Sequence, residues 1–266
     1  MSHFAHFVTI VLSLSGETAF GQNCGCAPNL CCSKWGYCGL GDLYCDEGCQ
    51  SGPCYDEPSR NISAADIVTD AFFNGIADNG GPNCPGKEFY SRTVFLESLD
   101  PYPRFASGSN DVAKREIAAF FAHVTHETGS LCHIEEINGE SYDYCDSGNT
   151  QYPCVPGKKY FGRGPIQLSW NYNYGAAGQS IGFDGLDFPD IVARDPVISF
   201  ETALWFCMNN NCHNAITSGQ GFGATIRAIN GMECDGGNQA TVNSRVKYFT
   251  NYCSQFGVEP GANLYC

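Results

Sequence analysis

The sequence predicts a mostly α-helical domain with long loops and little β structure, preceded by a small disulfide-rich module. Cysteines cluster at the front of the chain, where eight fall between residues 22 and 54. Further along, apolar residues recur at helical spacing, whereas strand signals are short and few. The helical patterns lie near residues 64–77, 92–98, 111–126, 199–209, 222–230 and 238–254. The sequence contains no repeat with a period of roughly 20 to 50 residues, so it does not indicate a repeat architecture.

Length, charge and cysteine content limit the class of protein. A chain of 266 residues can form one large domain and one small one. The net charge of −14 and the lack of a basic cluster argue against nucleic acids and anionic membranes as partners. Seventeen cysteines indicate disulfide bonds formed in an oxidising compartment. Their spacings include no C-x-x-C pair, and we expect neither a metal site nor a cofactor.

Residues 1–21 have the pattern of a secretory signal peptide, although they lack the usual Lys or Arg. Residues 7–14 form a short apolar core, and Ala19 and Gly21 place small residues before a cut at Gln22. This core is too short to span a bilayer, and no later apolar run is long enough. We therefore expect a secreted, extracellular protein without a transmembrane helix, and we expect a monomer.

The front segment, residues 22–54, is too small to bury a core and must be stabilised by disulfides. Its rings Trp35, Tyr37 and Tyr44 therefore have no core to enter, and Ser33 lies close to them in sequence. Exposed aromatic rings suit the apolar faces of sugars. Packing of these rings on the disulfides is an equally good interpretation of the composition.

The run CGCAPNLCCSKWGYCGLGDLYCDEGCQSGPC resembles the hevein-type chitin-binding module, and the resemblance covers all of 22–54. It implies sugar-binding roles for Ser33, Trp35, Tyr37 and Tyr44. It also implies the disulfide pairs Cys24–Cys32, Cys26–Cys38, Cys31–Cys45 and Cys49–Cys54.

A short linker, residues 55–62, separates this module from the large domain. It contains Pro58 and no apolar run, and Asn61 begins an N-glycosylation sequon. Ser63 and Asp66 have the spacing of a helix capping box, so we start the large domain at residue 63.

The run 117–136 in the large domain combines a strong helix pattern with three glutamates. Ile117, Phe120, Phe121 and Val124 follow helical spacing, which predicts an amphipathic helix over about 111–126. Glu127 lies at the end of this helix, and the pair Glu135 and Glu136 follows. Two carboxyls in different environments suit a glycosidase, which needs a general acid and a second carboxylate. Without further evidence, solvated surface glutamates explain the same pattern.

The run YFGRGPIQLSWNYNYG at residues 160–175 mixes apolar and polar residues without a helical period. Gln167, Ser169, Tyr172 and Asn173 offer amides, hydroxyls and a ring, a mixture that suits a sugar cleft. A buried loop that satisfies its own backbone is the alternative. Other catalytic signatures are missing: the sequence contains neither H-E-x-x-H nor G-x-S-x-G.

The segments FFAHVTHETG, YPCVPGKKYFGRGPIQLSWNYNYG and ATIRAINGMEC resemble family 19 glycoside hydrolases. Together with the front module, residues 22–266 resemble plant class IV chitinases. The resemblance implies a lysozyme-like, bilobal, helix-rich fold with a sugar cleft. It also implies inverting, endo-acting hydrolysis of β-1,4-linked N-acetylglucosamine in chitin and its oligomers. The same resemblance would imply a role in defence and a location in the plant apoplast.

The resemblance assigns roles to individual residues. Glu127, in H-E-T, takes the place of the general acid, and Glu136, four residues after Cys132, takes that of the base in preference to Glu135. Ser169 takes the place of the serine that helps to hold the attacking water. Arg245 matches an arginine near the acidic pair, where a cation would favour the ionised base. We expect substrate contacts from Gln167, Tyr172, Asn173, Asn230 and Arg245.

The remaining cysteines match the family only in part. The resemblance implies the pairs Cys84–Cys132, Cys145–Cys154 and Cys234–Cys266, and leaves Cys253 over. Cys207 replaces a usual Trp and Cys212 is additional, so the two are candidates for a further bond. That bond needs the helix to end between them. Cα atoms five residues apart on a helix lie about 8 Å apart, whereas a disulfide requires Cα atoms within about 7 Å. Two free thiols are the alternative.

Two other positions also depart from the family pattern, at Ser98 and Gly129, where Ala and a second threonine are usual. These departures bear on the level of activity.

Three functions remain in competition: an active endochitinase, a chitin-binding lectin on an inactive hydrolase scaffold, and a lysozyme-like enzyme of peptidoglycan. The presence of both carboxylates argues against the lectin, and the front module favours chitin over peptidoglycan.

Overall fold

The computed structural model describes residues 24–45, 48–54 and 62–266. The chain divides into two compact units, residues 1–54 and 55–266. The predicted signal peptide, and the segment 55–61 with the sequon residue Asn61, lie outside the described residues.

The first unit is built on its disulfides. Strands β1 (Cys31–Cys32) and β2 (Cys38–Gly39) pair antiparallel, and helix α1 (Asp42–Cys45) follows. Cys31, Cys32 and Cys45 are buried, so sulfur takes the place of a hydrophobic core. The four disulfides are those that the hevein-type resemblance implies: Cys24–Cys32, Cys26–Cys38, Cys31–Cys45 and Cys49–Cys54.

The second unit is helical, with long loops between its helices. Its helices are α2 (Ala64–Ile67), α3 (Asp70–Ala77), α4 (Gly86–Phe89), α5 (Arg92–Glu97), α6 (Asn110–Thr128), α7 (Asn171–Ile181), α8 (Pro196–Asn209), α9 (Cys212–Thr217), α10 (Phe222–Asn230) and α11 (Gln239–Phe256). Short 3₁₀ turns occupy Asp78–Gly80, Gly139–Ser141, Pro189–Ala193 and Gly231–Glu233. Over residues 62–266, β pairing is limited to two isolated bridges, Glu135–Arg163 and Arg163–Leu168. None of the helices in the described ranges is long and apolar enough to cross a membrane.

Helix α6 is the central helix of this unit. The Ser109 hydroxyl accepts a hydrogen bond from the Val112 amide at its start, and Gly129 ends it in the left-handed conformation, with φ 60°. The predicted amphipathic pattern is wrong for its second half, because residues 116–125 are all buried. Helices α2, α9, α10 and α11 pack around it, which leaves no face for water.

A cluster of aromatic rings fixes α6 against its neighbours. Phe121 makes edge-on contacts with Phe72 of α3 at 5.3 Å and with Phe95 of α5 at 4.9 Å, measured between ring centroids. Phe72 also contacts Tyr252 of α11 at 5.1 Å, and Phe95 contacts Phe200 of α8 at 5.6 Å. Each such pair adds about 0.5–1.5 kcal/mol beyond the burial of its area. The last turn of α6, which bears Glu127, therefore extends from a rigid base.

The observed helices differ from the predicted ones in several places, and the short helices α4 and α9 lie outside all the predicted patterns. The predicted helix over 64–77 is two helices, because the Thr69 side chain accepts a hydrogen bond from the Phe72 amide and starts a second one. Helix α7 begins inside the run that has no helical period in the sequence. A side chain at Gly175 would collide with the Tyr152 ring at 2.4 Å, and one at Gly178 with the Phe183 carbonyl at 2.5 Å. These glycines allow close packing and at the same time hide the apolar period of the helix.

The large unit contains the disulfides Cys84–Cys132, Cys145–Cys154 and Cys234–Cys266, as the family resemblance implies. The further bond Cys207–Cys212 is absent, and both residues are buried free thiols, as is Cys253. The helix does end between them, with Asn211 at φ 68°. However, a hydrogen bond with Cys212 and burial raise the pKa of Cys207 well above its usual range. Disulfide formation needs a thiolate, and this environment disfavours one.

Candidate active site

A cleft of about 640 Å³ opens beside the end of α6. Its lining comes from the end of α6, the loop after it, the loop before α7, and the end of α10. The lining residues include Glu127, His133, Glu135, Glu136, Tyr144, Gly162, Gln167, Ser169, Trp170, Tyr172, Asn173, Asn230 and Met232. Except for Arg245, the residues expected in the large-domain site therefore meet in one place.

Glu127 is in the last turn of α6, and only 19% of its side chain is exposed. Its Oε1 atom accepts a hydrogen bond from Nη2 of Arg245. Burial raises the pKa of Glu127, and this effect outweighs the opposing charge and hydrogen bond of Arg245. The carboxyl thus has an environment that favours the protonated form.

Arg245, on α11, is buried behind Glu127 and does not line the cleft. Its Nε and Nη2 atoms donate to the two oxygens of Glu233 at 2.8 and 2.7 Å. Its expected role as a substrate contact is therefore wrong, because a side chain that is 1% exposed cannot reach a sugar. Arg245 does lie near the acidic pair, but the member that it contacts is Glu127, the expected acid, rather than the base.

Glu233 was not foreseen from the sequence. It ends the short turn after α10 and is buried. Burial alone would raise its pKa, but the hydrogen bonds and charge of Arg245 lower it overall. Asn230, at the edge of the cleft, donates its side-chain amide to Glu233 Oε1 at 3.0 Å. A buried carboxylate thus anchors both Arg245 and Asn230.

Glu136 has different partners. Its Oε1 accepts a hydrogen bond from the Tyr144 hydroxyl at 2.7 Å, and its Oε2 accepts one from the Gly162 amide at 3.1 Å. The Glu136 amide donates in turn to the Gly162 carbonyl at 2.8 Å. Burial, followed by the bond to Glu136, raises the pKa of Tyr144 to about 12, so the phenol keeps its proton and donates it. Nothing in the sequence pattern indicated Tyr144.

Glu135 lies beside Glu136 but is bound elsewhere. Nε of Arg163 donates to its Oε1 at 2.9 Å. Arg163 is buried, lies 3.7 Å from the centre of the Phe161 ring, and donates to the Tyr174 hydroxyl at 3.0 Å. The ion pair therefore fixes the loop that carries Glu136 to the loop before α7.

The loop before α7 shapes the other wall of the cleft. The Ser169 hydroxyl donates to the Gln167 carbonyl at 2.9 Å, and the Asn173 amide donates to the Ser169 carbonyl at 2.9 Å. Gln167 has φ 52° and Trp170 has φ 77°, conformations that cost about 1–3 kcal/mol each in residues other than glycine. The loop therefore satisfies part of its own backbone and also lines the cleft.

Aromatic rings continue along this wall. Trp170 stacks on Tyr172 at 6.0 Å between centroids and meets the edge of Tyr144 at 5.5 Å. Trp170 is 40% exposed. Trp170 falls within the run 160–175, but a lone aromatic in a loop has no spacing from which a role could be predicted. Its exposed face suits the apolar face of a sugar.

In the small unit, two rings of the expected sugar-binding set are exposed, Trp35 by 68% and Tyr37 by 46%. Tyr44 is half-buried and packs against Gly39, where an added Cβ would lie 2.5 Å from its ring. Ser33 is buried, and its hydroxyl accepts a hydrogen bond from the Tyr37 amide at 3.2 Å. Ser33 therefore supports the turn that presents Trp35 and Tyr37.

A helical domain with two unlike carboxyls in one open cleft has the arrangement of a glycosidase. Residues 67–266 match the glycoside hydrolase 19 family model, described as "Chitinase class I", and residues 15–54 match one described as "Chitin recognition protein". The chain therefore belongs to glycoside hydrolase family 19 and carries a chitin-recognition module. It is a chitinase, an enzyme of the glycosidase class.

Individual relatives are similar in sequence over nearly the whole chain. It is 60% identical to Endochitinase EP3 of Arabidopsis thaliana over 262 residues, covering 97% of this chain and 95% of the relative. It is 58% identical to Chitinase 5 of Oryza sativa subsp. japonica over 276 residues, covering 97% and 94%. A class IV chitinase structure from Zea mays matches with a TM-score of 0.71 at 58% identity, over 75% of this chain and 98% of that one.

Proposed function

We propose that this chitinase cuts chitin within the polymer, at β-1,4 linkages between N-acetylglucosamine units, by a single displacement that inverts the anomeric carbon. Glu127 acts as the general acid and Glu136 as the general base. The observation that carries the proposal is that Glu127 and Glu136 line the same cleft and have different partners. Arg245 supports the largely buried Glu127, whereas Tyr144 and Gly162 bind the two oxygens of Glu136.

The acid step requires a protonated carboxyl near the working pH. Burial raises the pKa of Glu127, which supports this role. Glu127 gives its proton to the glycosidic oxygen as the bond from that oxygen to the anomeric carbon breaks. The departing sugar then leaves as a neutral alcohol.

The base step requires a carboxylate that accepts a proton from water on the opposite face of the sugar. Glu136 takes this proton while the water oxygen forms its bond to the anomeric carbon. Ser169 helps to hold the water: its hydroxyl hydrogen is donated to the Gln167 carbonyl, so its oxygen can accept a hydrogen bond from the water. After each turnover, solvent returns a proton to Glu127 and removes one from Glu136.

Chitin is the substrate that both units support. Gln167, Tyr172, Asn173 and Asn230 line the cleft and are proposed to contact the N-acetylglucosamine units. The exposed rings Trp35 and Tyr37 of the small unit offer a second contact for the same polymer. The proposal also includes secretion, directed by residues 1–21, and a role in defence against chitin-containing organisms. Seven disulfides support an oxidising destination for the protein.

The direct test compares sugar release from colloidal chitin and from bacterial cell walls by the wild type and by Glu127→Gln. We expect release from chitin and little from cell walls, because the module and family both favour chitin. Glu127→Gln should bind chitin normally and lose at least roughly 100-fold in kcat, as loss of an acid catalyst implies. Retained turnover in this variant would move the acid role to another residue.

Stereochemistry tests the mechanism separately. A single displacement requires carboxyls roughly 6.5–9.5 Å apart and gives an inverted product, whereas a retaining pair lies about 5–5.5 Å apart. Proton NMR of a soluble N-acetylglucosamine hexamer during the first minutes of hydrolysis should show the α-anomer at the new reducing ends. An initial β-anomer would contradict direct attack by water.

A further inference from the structure

His123 on α6 is buried, about one helical turn before Glu127, and does not line the cleft. Both of its ring nitrogens nevertheless have close polar neighbours. Nδ1 lies 3.2 Å from Nη1 of Arg245, and Nε2 lies 2.8 Å from the hydroxyl oxygen of Thr225 on α10. The mechanism above gives this side chain no role.

The neighbours of His123 determine its tautomer. A guanidinium only donates hydrogen bonds, so Nδ1 of His123 must accept the one from Arg245. The Thr225 hydroxyl donates its single hydrogen to the Phe222 carbonyl at 2.7 Å, so its oxygen accepts from Nε2–H of His123. A neutral imidazole with its proton on Nε2 satisfies every contact. Burial, followed by the charge of Arg245, lowers the pKa of His123 well below its usual range, in agreement.

Stacking fixes the plane of the imidazole. The His123 ring lies on Phe222 at 4.8 Å and 19°, and Phe222 lies on Phe249 at 4.2 Å and 3°. Two hydrogen bonds in the ring plane and one ring against its face leave the imidazole no freedom to turn. Its Nδ1 atom is therefore a rigid acceptor for Arg245.

We propose that His123 is a positioning residue for the proton donor: together with Thr225, it fixes the Arg245 guanidinium so that only Nη2 reaches Glu127. The proposal rests on the role of Glu127 as general acid. Glu233 binds the guanidinium on one side, through Nε and Nη2. His123 binds Nη1, which is the other donor that could turn towards Glu127.

The charged and titratable groups around His123 come from several elements. Arg245 approaches from α11, and Glu233 lies beyond it; His126 and Glu127 follow on α6 itself. On the other side, a small cavity next to His123 is also lined by Glu116 and by His213, whose Nδ1 lies 2.7 Å from a Glu116 oxygen. Since His123 is neutral, its replacement by a neutral residue changes no charge in this set. A shift in the pH profile of such a variant would therefore report geometry.

The sign of the shift follows from the hydrogen bonds to Glu127. In the wild type, Arg245 gives Glu127 a hydrogen bond through Nη2 alone. Without the His123 acceptor, the whole guanidinium can tilt about its contacts with Glu233 until Nη1 also donates to Glu127, which stabilises the carboxylate and lowers the pKa of Glu127. The acid then loses its proton at lower pH, so the basic limb of the kcat profile should move to lower pH.

The experiment measures kcat and KM against pH on a soluble N-acetylglucosamine hexamer. We expect His123→Leu to lower kcat roughly 10- to 100-fold, with KM changed less than about twofold, and to move the basic limb to lower pH. His123→Gln should restore most of the loss, because a side-chain amide can accept from Arg245 and donate to Thr225. If His123→Gln is no better than His123→Leu, or if the basic limb does not move, the proposal is wrong.

A matched pair of threonine variants separates positioning from stability. Thr225 and Thr202 are both fully buried in helices, and each hydroxyl donates to a carbonyl three residues earlier at 2.7 Å. Only Thr225 also contacts His123. Both valine variants should lower Tm, but only Thr225→Val should lower kcat and move the basic limb. Identical kinetics for the two would overturn the proposal, even if His123→Leu does not fold.

A second readout does not depend on turnover. In the full chain labelled with ¹⁵N-histidine, NMR at neutral pH should show His123 neutral, with its proton on Nε2, because Thr225 accepts from Nε2 and burial lowers the pKa of His123 well below its usual range. A protonated ring or an Nδ1–H tautomer would overturn the inference while leaving the proposed function intact. Failure of the proposed function would show itself differently, as retained activity in Glu127→Gln.

Discussion

Glu135 and Glu136 are neighbours in the chain, yet their side chains have different tasks in this structure. Glu135 pairs with Arg163, and Glu136 accepts hydrogen bonds from Tyr144 and from the Gly162 amide. Spacing alone could not separate the two, because both lie eight or nine residues after Glu127. The family resemblance assigned the base to Glu136, and the observed contacts support that proposal.

This pair provides an internal control at the residue scale. We expect Glu136→Gln to lower kcat on soluble oligomers by roughly 100-fold or more, because an amide cannot accept the proton of the attacking water. Glu135→Gln should lose about tenfold at most, since it weakens the ion pair to Arg163 but leaves Glu136 in place. Steady-state kinetics on the N-acetylglucosamine hexamer would measure both. A larger loss in Glu135→Gln would reverse the assignment.

Burial explains which site residues the sequence could not identify. Arg245 matched a family position, but its 1% exposure results from how α11 packs on α6. The same packing makes Arg245 a support for Glu127 rather than a substrate contact. Glu233 and Tyr144 follow no spacing rule, because each comes from a loop that only the fold brings to the site. Residues that touch the cleft through a local run, such as Gln167 and Asn173, could be proposed from sequence.

At the scale of elements, the sequence was most informative where the apolar period was strong. Ile117, Phe120, Phe121 and Val124 predict α6, and Gly129 predicts its end. Helix α7 was missed because Gly175 and Gly178 replace apolar residues where other segments approach closely. A close approach between segments distant in sequence leaves no mark on local periodicity.

The junction between α8 and α9 gives a prediction at this scale. Cys207 and Cys212 are expected to be free thiols in the native protein, because the hydrogen bond with Cys212 and burial raise the pKa of Cys207 and keep its thiol protonated. Alkylation after denaturation without reductant, followed by peptide mapping, should find Cys207, Cys212 and Cys253 modified. The seven bonded pairs provide the control, since their cysteines should remain unmodified. A Cys207–Cys212 linked peptide would contradict the structure.

At the scale of the whole molecule, the chain combines a chitin-recognition module with a catalytic unit. We expect Trp35→Ala to lower activity on insoluble chitin several-fold, because attachment to the polymer raises the effective concentration of the catalytic unit. Activity on the soluble hexamer should not change. Tyr265→Ala, which removes another exposed ring, should leave both activities unchanged. Equal losses on the two substrates for Trp35→Ala would remove the basis for this role.

The disulfides of the catalytic unit also have a consequence for maturation. Glu136 follows Cys132 by four residues, Tyr144 immediately precedes Cys145, and Glu233 immediately precedes Cys234. Three separate covalent loops thus begin or end beside the groups that surround the cleft, and one of them closes on Cys266. Oxidation of these cysteines therefore adds a covalent restraint to the segments that carry Glu136, Tyr144 and Glu233. A chain held in a reducing compartment, or one without Cys266, would lack a covalent restraint beside this cleft.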